Sequence, residues 1–333
     1  MSGVKAVAES WPDAVDPKAA AALAAKLRTN VERALRGKPA VVERALEALI
    51  SGGHLLLEDV PGVGKTTLAA ALARSVDGSF RRIQFTSDLL PSDVVGAALP
   101  ETEGGRPTGA LTFQPGPLFA HVVLADEINR ASPKTQSALL EAMAESAVTV
   151  DGRTHALPSP FFVVATQNPL EHHGTNPLPE SQLDRFQMRL SIGYPDASDE
   201  AAVLREDPAA TLLPALRPVL EPRDILCLRA SARRIKFDDA LIAYLLAIVN
   251  ETREHEAIYL GASTRAALAL RHAAQAHALL DERDYAIPED VRELAVDVLA
   301  HRIAVDPRAG SERSGEESQW LLREILDRVP VPL

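Results

Sequence analysis

Short apolar segments alternate with longer segments of helical periodicity along the first 195 residues of the chain. The apolar segments have the length of strands and lie at 54–59, 82–85, 122–125 and 161–165, with MRLSIGY as a further one. The segment PAVVERALEALISGG has the helical pattern, with Pro39 near its start and Gly52–Gly53 past its end, as expected of a helix. Short apolar strands that alternate with helices predict an α/β fold whose parallel sheet is covered on both faces.

Two segments interrupt this alternation. Residues 96–116 are rich in Gly and Pro and begin and end with hydrophobic residues. Residues 147–157 alternate apolar and polar positions around Asp151–Gly152, which is a strong hairpin signal. We therefore expect an insertion at the first segment and a β-hairpin at the second.

The pattern changes after Tyr194–Pro195. A stretch containing several prolines, from about 207 to 222, leads into segments with helical periodicity only. These segments lie at 223–234, 238–251, 264–280, 288–303 and 317–328. We predict an α/β domain over residues 31–195 and a helical domain over 196–333, preceded by an amphipathic arm at 1–30 with no assigned function.

Composition indicates a globular protein inside the cell. Of the 333 residues, 46% are hydrophobic and 24% are charged, which is typical of folded domains and too apolar for disorder. The longest apolar run, Leu241 to Val249, is about half of what spans a bilayer, so we expect no membrane span. The N-terminal sequence contains no apolar stretch resembling a secretion signal, and Cys227 is the only cysteine. A reducing cytoplasm is therefore the expected location.

The charge distribution argues against nucleic acid as a partner. The net charge is −11, with acidic and basic residues interspersed. Electrostatic binding to nucleic acid needs a basic stripe, and the sequence contains none. The short runs Arg81–Arg82 and Arg233–Arg234 are more typical of solvated faces or contacts between subunits.

A glycine turn between the strand at 54–59 and the helix KTTLAAALARSV carries the strongest chemical signal. It consists of Pro61, Gly62, Val63, Gly64, Lys65, Thr66 and Thr67. Glycines let successive N–H groups point at phosphate oxygens, and the helix N-terminus adds partial positive charge. In the pattern G-x-x-x-x-G-K-[ST], Lys65 contacts the β- and γ-phosphates and the Thr66 hydroxyl binds Mg²⁺. This turn predicts a P-loop ATPase that uses ATP and Mg²⁺.

The P-loop pattern is only partly met. It asks for glycine at position 59, where this chain has Asp59, so other geometry must supply the first turn residue. A glycine-containing loop that caps an ordinary helix is the alternative interpretation. The strand–turn–helix context favours the phosphate-binding loop.

Polar residues follow two further apolar segments. Asp126 and Glu127 end the segment at 122–125, so they would lie at the carboxyl edge of a parallel sheet, where ligands bind. Asp126 would hold Mg²⁺ and Glu127 would polarise the attacking water, unless the pair merely caps the next turn. Asn168 follows the segment at 161–165 and could orient that water, although Asn before Pro is usually just a turn.

Arg185 has two interpretations. It could be a structural partner of the adjacent Asp184, which composition alone favours, or an arginine finger that acts across a subunit boundary. The residue types themselves leave the choice open.

Four stretches together resemble the MoxR family of AAA+ ATPases. They are GVGKTT, LADEINRASPKTQSALLEAMAE, VTVDGRTHALPSPFFVVATQNP and GTNPLPESQLDRF. The resemblance is close over residues 37–195 and looser over the helical remainder, and magnesium-chelatase ATPase subunits are similar as well. It implies an αβα core with strand order 5-1-4-3-2, an all-helical lid, and assembly into a homo-oligomeric ring, usually a hexamer.

The resemblance also implies roles for matched positions. Lys65 and Thr66 match Walker A, and Asp126 and Glu127 match Walker B. Asn168 matches sensor 1, Arg185 matches the arginine finger, and Arg265 matches sensor 2. The segment that lines the adenine in the family is matched by Arg36, Gly37 and Lys38. The segment 96–116 corresponds to the helix-2 insert of the family and 147–157 to its pre-sensor hairpin. Two positions depart from the family pattern, His172–His173 and Asn176, and we interpret the adjacent histidines as surface variation instead of a metal site.

The function implied is a chaperone-like ATPase that remodels or activates another protein. The resemblance suggests a partner with a von Willebrand factor A domain and a role in inserting a metal or cofactor into a third protein. The insertion at 96–116 lacks an aromatic–hydrophobic tip, since Phe113 is its only aromatic residue, so we do not expect threading through a pore. The alternatives are a nucleic-acid motor, a magnesium-chelatase-like subunit, and a nucleotide-gated switch without turnover.

Overall fold

A computed structural model describes residues 12–103, 106–169, 175–305 and 314–332, without the side chains of 102–110 and 314–315. Its main sheet has five parallel strands, which are β1 (Leu55–Glu58), β2 (Phe80–Gln84), β5 (Val122–Asp126), β8 (Phe162–Gln167) and β9 (Met188–Leu190). Their order is β2-β5-β8-β1-β9. When these five strands are numbered along the chain and read from the other edge, the order is the predicted 5-1-4-3-2.

Strand residues point alternately to the two faces of the sheet, and each face has its own apolar core. Leu55 and Leu57 pack into one core, whereas Leu56 between them packs into the other. Val163 and Val164 of β8 are divided in the same way. Burial on both faces explains why these strands are continuous apolar runs in the sequence.

Helices cover both faces of the sheet. Those of the first part of the chain are α1 (Pro17–Glu32), α2 (Pro39–Ile50), α3 (Lys65–Ser75), α4 (Pro91–Val95), α5 (Pro133–Glu145) and α6 (Glu180–Leu183), with a 3-10 turn at Ile128–Arg130. Helix α1 occupies the second half of the segment 1–30 that was expected to be an arm. Its residues Ala20, Ala24 and Leu27 are buried in the same core as Leu55, so α1 contributes to the packed domain.

The two interruptions are antiparallel hairpins. The first pairs β3 (Gly96–Glu103) with β4 (Arg106–Pro115), and the second pairs β6 (Ala147–Val150) with β7 (Arg153–Ala156). Asp151 and Gly152 have φ values of 48° and 75°, the positive angles that a type I′ turn requires. The rings of Phe113 and His155 stack with their centroids 3.9 Å apart, which joins the two hairpins.

Helices dominate the chain after β9. They are α7 (Ala197–Glu206), α8 (Pro208–Thr211), α9 (Pro222–Arg234), α10 (Asp239–Glu254), α11 (Thr264–Leu280), α12 (Pro288–Leu299) and α13 (Ser314–Arg328), with a 3-10 turn at Ala300–Arg302. A short antiparallel pair, β10 (Ile258–Leu260) with β11 (Ala304–Val305), also belongs to this lid and was not predicted. None of the helices in the described ranges has the length and apolar character that crossing a membrane requires.

Polar contacts attach the lid to the sheet domain. Gln187 Nε2 donates to the Ala269 carbonyl at 2.8 Å. His277 Nδ1 lies 2.6 Å from Oε1 of Glu47, a fully buried residue of α2. Burial opposes protonation of His277, but the hydrogen bond and the charge of Glu47 outweigh it and raise the pKa of His277. These contacts position α11 against the core.

Candidate active site

The carboxyl ends of β1, β5 and β8 lie side by side and bring three sequence motifs to one edge. Ala125 is opposite Ala165 in the sheet, and Glu58 is opposite Gln167. The glycine loop therefore begins beside Asn168, and the Asp126–Glu127 pair follows on the other side of β8. In an open parallel sheet, this edge is where ligands bind.

Two glycines give the loop its curvature. Gly62 and Gly64 have φ values of 87° and 103°, a region that L side chains rarely adopt. A Cβ atom at Gly64 would also lie 2.8 Å from Leu35 Cδ1. Gly64 is the N-cap of α3 and has no side chain that could cap the first turn. The free backbone N–H groups of that turn, and the partial positive charge of the helix N-terminus, therefore face the loop. This geometry suits a phosphate group.

Lys65 is the first residue of α3, and its ammonium group is directed back to the start of the loop. Lys65 Nζ donates to the carbonyls of Asp59 at 2.5 Å and Val60 at 3.3 Å. The adjacent Thr66 is exposed. A cation and a hydroxyl thus stand at one helix N-terminus, as the P-loop pattern requires.

The carboxylate of Asp59 fixes the start of the loop, at the position where the P-loop pattern has glycine. Its Oδ1 accepts from Val60 N at 2.8 Å, and its Oδ2 accepts from Ser191 Oγ, Ile192 N and Gly193 N at 2.9, 2.8 and 2.7 Å. Burial opposes ionisation, but the hydrogen bonds from Gly193, Ser191, Val60 and Ile192 outweigh it and lower the pKa of Asp59. An ionised carboxylate therefore holds the beginning of the loop.

Thr166 orients both acidic residues that end β5. Its Oγ1 donates to Asp126 Oδ1 at 2.5 Å and accepts from Glu127 N at 2.9 Å. Glu127 has a φ of 57°, which is uncommon for a residue other than glycine. This turn ends the strand immediately after Asp126 and directs the two carboxylates differently. Strain at such a position is characteristic of functional sites.

Two side chains of β2 contact these carboxylates. Arg82 Nη2 lies 2.7 Å from Asp126 Oδ2, and Gln84 Nε2 donates to Glu127 Oε2 at 2.7 Å. Arg82 also donates to Gln84 Oε1 at 3.1 Å, and Arg130 Nε lies 3.1 Å from Glu127 Oε2. Arg82 was predicted to belong to a solvated face or a subunit contact; it is exposed, and its guanidinium also pairs with Asp126. Arg82 and Gln84 are two residues apart, so a strand places both side chains on one face. This spacing was the signal in the sequence that the two side chains could contact the same site.

Asp126 and Thr66 are donors of the kind that Mg²⁺ prefers. Within the described ranges, no cluster of three His, Cys, Asp or Glu residues could hold a metal ion. Mg²⁺ usually keeps several waters and is bound by one or two carboxylates together with phosphates of the substrate. The pair of donors therefore fits a Mg²⁺ ion that accompanies a nucleotide.

Asn168 lies beside the loop, whereas Arg185 contacts helix α5. Asn168 follows β8 directly and is 7% exposed, beside the loop. Arg185 Nη1 donates to the Leu140 carbonyl of α5 at 2.7 Å. The alternative that pairs Arg185 with Asp184 is not what the structure shows, since Arg302 Nε lies 3.0 Å from Asp184 Oδ1.

Arg265 is close to that ion pair. It is the second residue of α11 and is exposed. Burial and the charge of Arg265, opposed by Asp184, lower the pKa of Arg302 to about 10. Arg185, the predicted finger, is adjacent in sequence to Asp184, and Arg265, the predicted sensor 2, is close enough to Arg302 for its charge to act on it.

The segment matched to the adenine site packs against the first lid helix. Gly37 has a φ of 70°, and a Cβ atom there would lie 2.1 Å from Asp199 Oδ2. Lys38 Nζ donates to the Tyr194 carbonyl at 2.7 Å, and Arg36 Nη2 lies 3.1 Å from Glu206 Oε2. Glycine is required at 37 by both its backbone angle and the proximity of α7.

Of the two departures from the family pattern, one is structurally connected to the site. Asn176 N donates to the Asn129 carbonyl at 2.6 Å, and Asn176 Nδ2 donates to the Ala131 carbonyl at 3.0 Å. Asn176 therefore connects its loop to the turn that follows Glu127. His172–His173 lies outside the described residues.

Known proteins match this chain along most of its length. The family described as "ATPase family associated with various cellular activities (AAA)" matches residues 54–188, and "AAA lid domain" matches residues 250–325. Protein YeaC of Bacillus subtilis is 47% identical over 311 residues, covering 93% of this chain and 95% of YeaC. Chaperone MoxR1 of Mycobacterium tuberculosis is 40% identical over 331 residues, covering 95% of this chain and 86% of MoxR1. A crystal structure from Cytophaga hutchinsonii, described as that of an ATPase, has 36% identity and a TM-score of 0.86, covering 95% of this chain and 97% of that one.

Proposed function

Because the chain belongs to the MoxR family of AAA+ ATPases, we propose that it hydrolyses Mg²⁺-bound ATP to remodel or activate other proteins. One observation carries the proposal. The loop that ends in Lys65 and the carboxylates of Asp126 and Glu127 emerge at one edge of the sheet, with only β8 between their strands. The groups that we propose to bind phosphate and to activate water therefore lie at the same edge.

Each group at this edge has a separate task. The glycine loop and Lys65 would bind the phosphates, and Thr66 with Asp126 would hold Mg²⁺, which when bound neutralises charge on the phosphate oxygens. Glu127 would accept a proton from the attacking water, and Asn168 would orient that water. Thr166 supports this division of tasks because its hydroxyl holds Asp126 while its oxygen accepts from the Glu127 amide.

A ring of identical subunits completes the proposal. Arg185 would act as an arginine finger at the site of a neighbouring subunit, and Arg265 would act from the lid as sensor 2. Supporting this, Arg265 is exposed and Arg185 is partly exposed. We propose a hexamer, the number usual in the family.

The work done by hydrolysis would be chaperone-like. The name of MoxR1 describes it as a chaperone, and it matches this chain along most of its length. We propose that a protein with a von Willebrand factor A domain connects the ring to its client, and that the client receives a metal or cofactor. The net charge of −11 favours docking through a divalent ion bound by that partner.

A nucleic-acid motor is less well supported. One arginine of each short basic run makes an intramolecular contact, because Arg82 pairs with Asp126 and Arg233 donates to the Ser51 carbonyl. These guanidinium groups do not form a basic stripe of the kind that tracks a phosphate backbone.

Phosphate release measured with Mg²⁺, with EDTA and with the Glu127→Gln variant tests the proposed activity. We expect hydrolysis only with Mg²⁺, and a rate roughly 10²–10⁴-fold lower in Glu127→Gln, the usual contribution of a general base. Glu141→Gln, which changes an exposed carboxylate on α5, is the matched control and should keep the wild-type rate. Hydrolysis that persists in EDTA or is unchanged in Glu127→Gln would refute the proposed chemistry.

A further inference from the structure

The start of the P-loop is bonded to the segment that leads into the lid. Asp59 is 8% exposed, and its Oδ2 accepts three hydrogen bonds from Ser191, Ile192 and Gly193. This segment follows β9 directly and precedes α7, so it is the first part of the connection to the lid helices. A glycine at position 59, as the P-loop pattern asks, could make none of these side-chain bonds.

The main chain of Asp59 contacts two other parts of the site. Its carbonyl accepts from Lys65 Nζ at 2.5 Å. Its amide donates to the Gln167 carbonyl at 3.2 Å, immediately before Asn168. One residue therefore connects the phosphate-binding lysine, the end of β8 and the lid connection.

The same segment is also bonded to the predicted adenine loop. The carbonyl of Tyr194, the residue after Gly193, accepts from Lys38 Nζ at 2.7 Å. Residues 191–194 thus contact the chain on both sides of the expected nucleotide, at Lys38 and at Asp59. A shift of either loop would be transmitted to this segment through short polar contacts.

Charge makes the contact at Asp59 strong. Hydrogen bonds from backbone N–H groups to a carboxylate are shorter and stronger than those between neutral groups. The lowered pKa of Asp59 agrees with a carboxylate that stays ionised in this position. The bond to Val60 N means that the same carboxylate also holds the next residue of the P-loop.

We propose that Asp59 is a positioning residue that couples the P-loop to residues 191–194, so that nucleotide in the loop changes the backbone order of the lid connection. The coupling rests on the proposed function, because it requires nucleotide at the P-loop. Lys65 donates to the Asp59 carbonyl, and a phosphate contacted by Lys65 would draw its ammonium away from that carbonyl. The loop would then readjust at Asp59, and its carboxylate would transmit the change to Ile192 and Gly193.

Hydrogen–deuterium exchange of the full chain, with and without ADP and Mg²⁺, tests this coupling. The readout is exchange of peptides that contain the amides of Ile192 and Gly193, and binding of fluorescent mant-ADP is measured in parallel. We expect nucleotide to change the exchange of these peptides in the wild type. In Asp59→Gly, which restores the P-loop pattern, the amides should exchange faster and the change with nucleotide should be lost, while mant-ADP still binds.

Two further variants separate coupling from a general loss of structure. Ser191→Ala leaves the P-loop untouched but removes one donor to Asp59, so it should reduce the nucleotide-dependent change without abolishing mant-ADP binding. Asp238→Asn removes a carboxylate that caps α10 through Leu241 N, and it should respond to nucleotide as the wild type does.

The outcomes distinguish the coupling from the proposed function. If wild-type protein does not bind mant-ADP, the proposed function fails. If it binds but the exchange at 191–194 does not change, or if Asp59→Gly and Ser191→Ala keep the full change, the coupling alone is overturned. If Asp59→Gly does not fold, the Ser191→Ala result decides.

Discussion

Gln84 Nε2 donates to Glu127 Oε2 at 2.7 Å, so a neutral amide on β2 holds the carboxylate that we assign as the general base. Arg82 fixes Gln84 in turn, through its bond to Gln84 Oε1 at 3.1 Å. The orientation of Glu127 therefore depends on a strand that carries none of the recognised motifs.

We expect Gln84→Ala to raise basal ATP turnover with little change in KM. Loss of the donor frees the Glu127 carboxylate to turn toward the attacking water. A net hydrogen-bond contribution of about 1 kcal/mol corresponds to roughly a fivefold change in rate. Steady-state phosphate release measures this effect, with Gln114→Ala, a change at an exposed glutamine of β4, as the control. A fall in kcat would instead indicate that Gln84 holds Glu127 in its productive position.

Lys65→Ala and Glu127→Gln should differ in nucleotide binding. Lys65 contacts phosphate directly in the proposed site, and a hydrogen bond between charged groups contributes about 1.5–3 kcal/mol, or roughly 10- to 100-fold in affinity. Glu127 prepares only the water, so Glu127→Gln should bind ATP as tightly as the wild type. Titration with a fluorescent ATP analogue measures both. Tight binding by Lys65→Ala would show that the loop does not hold phosphate through this lysine.

Arg185→Ala should retain nucleotide binding and lose turnover, roughly 10³–10⁵-fold for an arginine that neutralises the transferring phosphate. Mixing it with Lys65→Ala subunits should restore part of the activity, because each variant keeps the group that the other lacks. Native mass spectrometry would verify that mixed rings form. If such rings stay inactive, the bond from Arg185 to the Leu140 carbonyl is its main role.

Stability should decrease as the pH falls from 6.5 towards 4 because of His54. Its Nδ1 accepts from Val163 N at 3.0 Å and its Nε2 lies 3.1 Å from the Met143 carbonyl, so the neutral ring fits the site. Burial lowers the pKa of His54 to about 4. The bond to Met143 opposes this shift, and the charge of Arg229 adds a smaller effect in the same direction as burial. In this pH window the unfolded chain binds a proton that the folded chain does not, which destabilises the fold by about 3 kcal/mol at pH 4.

Urea unfolding of wild type and His54→Gln at several pH values measures this contribution. Glutamine can accept from Val163 and donate to Met143 without titrating, so the variant should lose less stability between pH 6.5 and 4. Part of the remaining dependence should come from His301, since burial also lowers its pKa well below the usual value. An equal pH dependence in both proteins would contradict the assignment to His54.

The proposed partner predicts a nucleotide- and metal-dependent interaction. A pull-down with a von Willebrand-type protein encoded nearby should show binding that differs between ATP and ADP and is lost when the partner's metal is chelated. Such docking through a divalent ion is consistent with the acidic net charge. Binding that ignores both nucleotide and metal, or no binding, would exclude this partner.

The local pattern of the sequence was sufficient for the main elements. The inner strands β1, β5 and β8 are buried on both faces, and the lid helices α9 to α13 have one apolar side, so both kinds of element carry a strong signal in the sequence. The type I′ turn at Asp151–Gly152 was equally clear, because its backbone angles demand these residue types. The P-loop residues from Pro61 to Thr67 were found in the same way, as a local motif between a strand and a helix.

The strand order and the family roles came from resemblance instead of from periodicity. Alternating apolar segments predict a parallel sheet, but they do not say which strand lies beside which. The long stretch LADEINRASPKTQSALLEAMAE was specific enough to supply that order through the family. The roles of the matched residues, from Lys65 and Glu127 to Asn168, Arg185 and Arg265, remain predictions.

Only the tertiary structure decided which side chains meet. In the sequence, Asp59 was only a departure from the P-loop pattern. In the structure its carboxylate accepts from four donors, and one of them is Ser191, more than a hundred positions away in sequence. Arg82 is exposed, as expected of a solvated residue, but only the pairing of β2 with β5 shows that its guanidinium contacts Asp126. Periodicity reports how each segment is buried, because burial is imposed residue by residue along one element. Contacts between distant polar groups depend on how elements are arranged in space, and a single sequence carries no local signal for that arrangement.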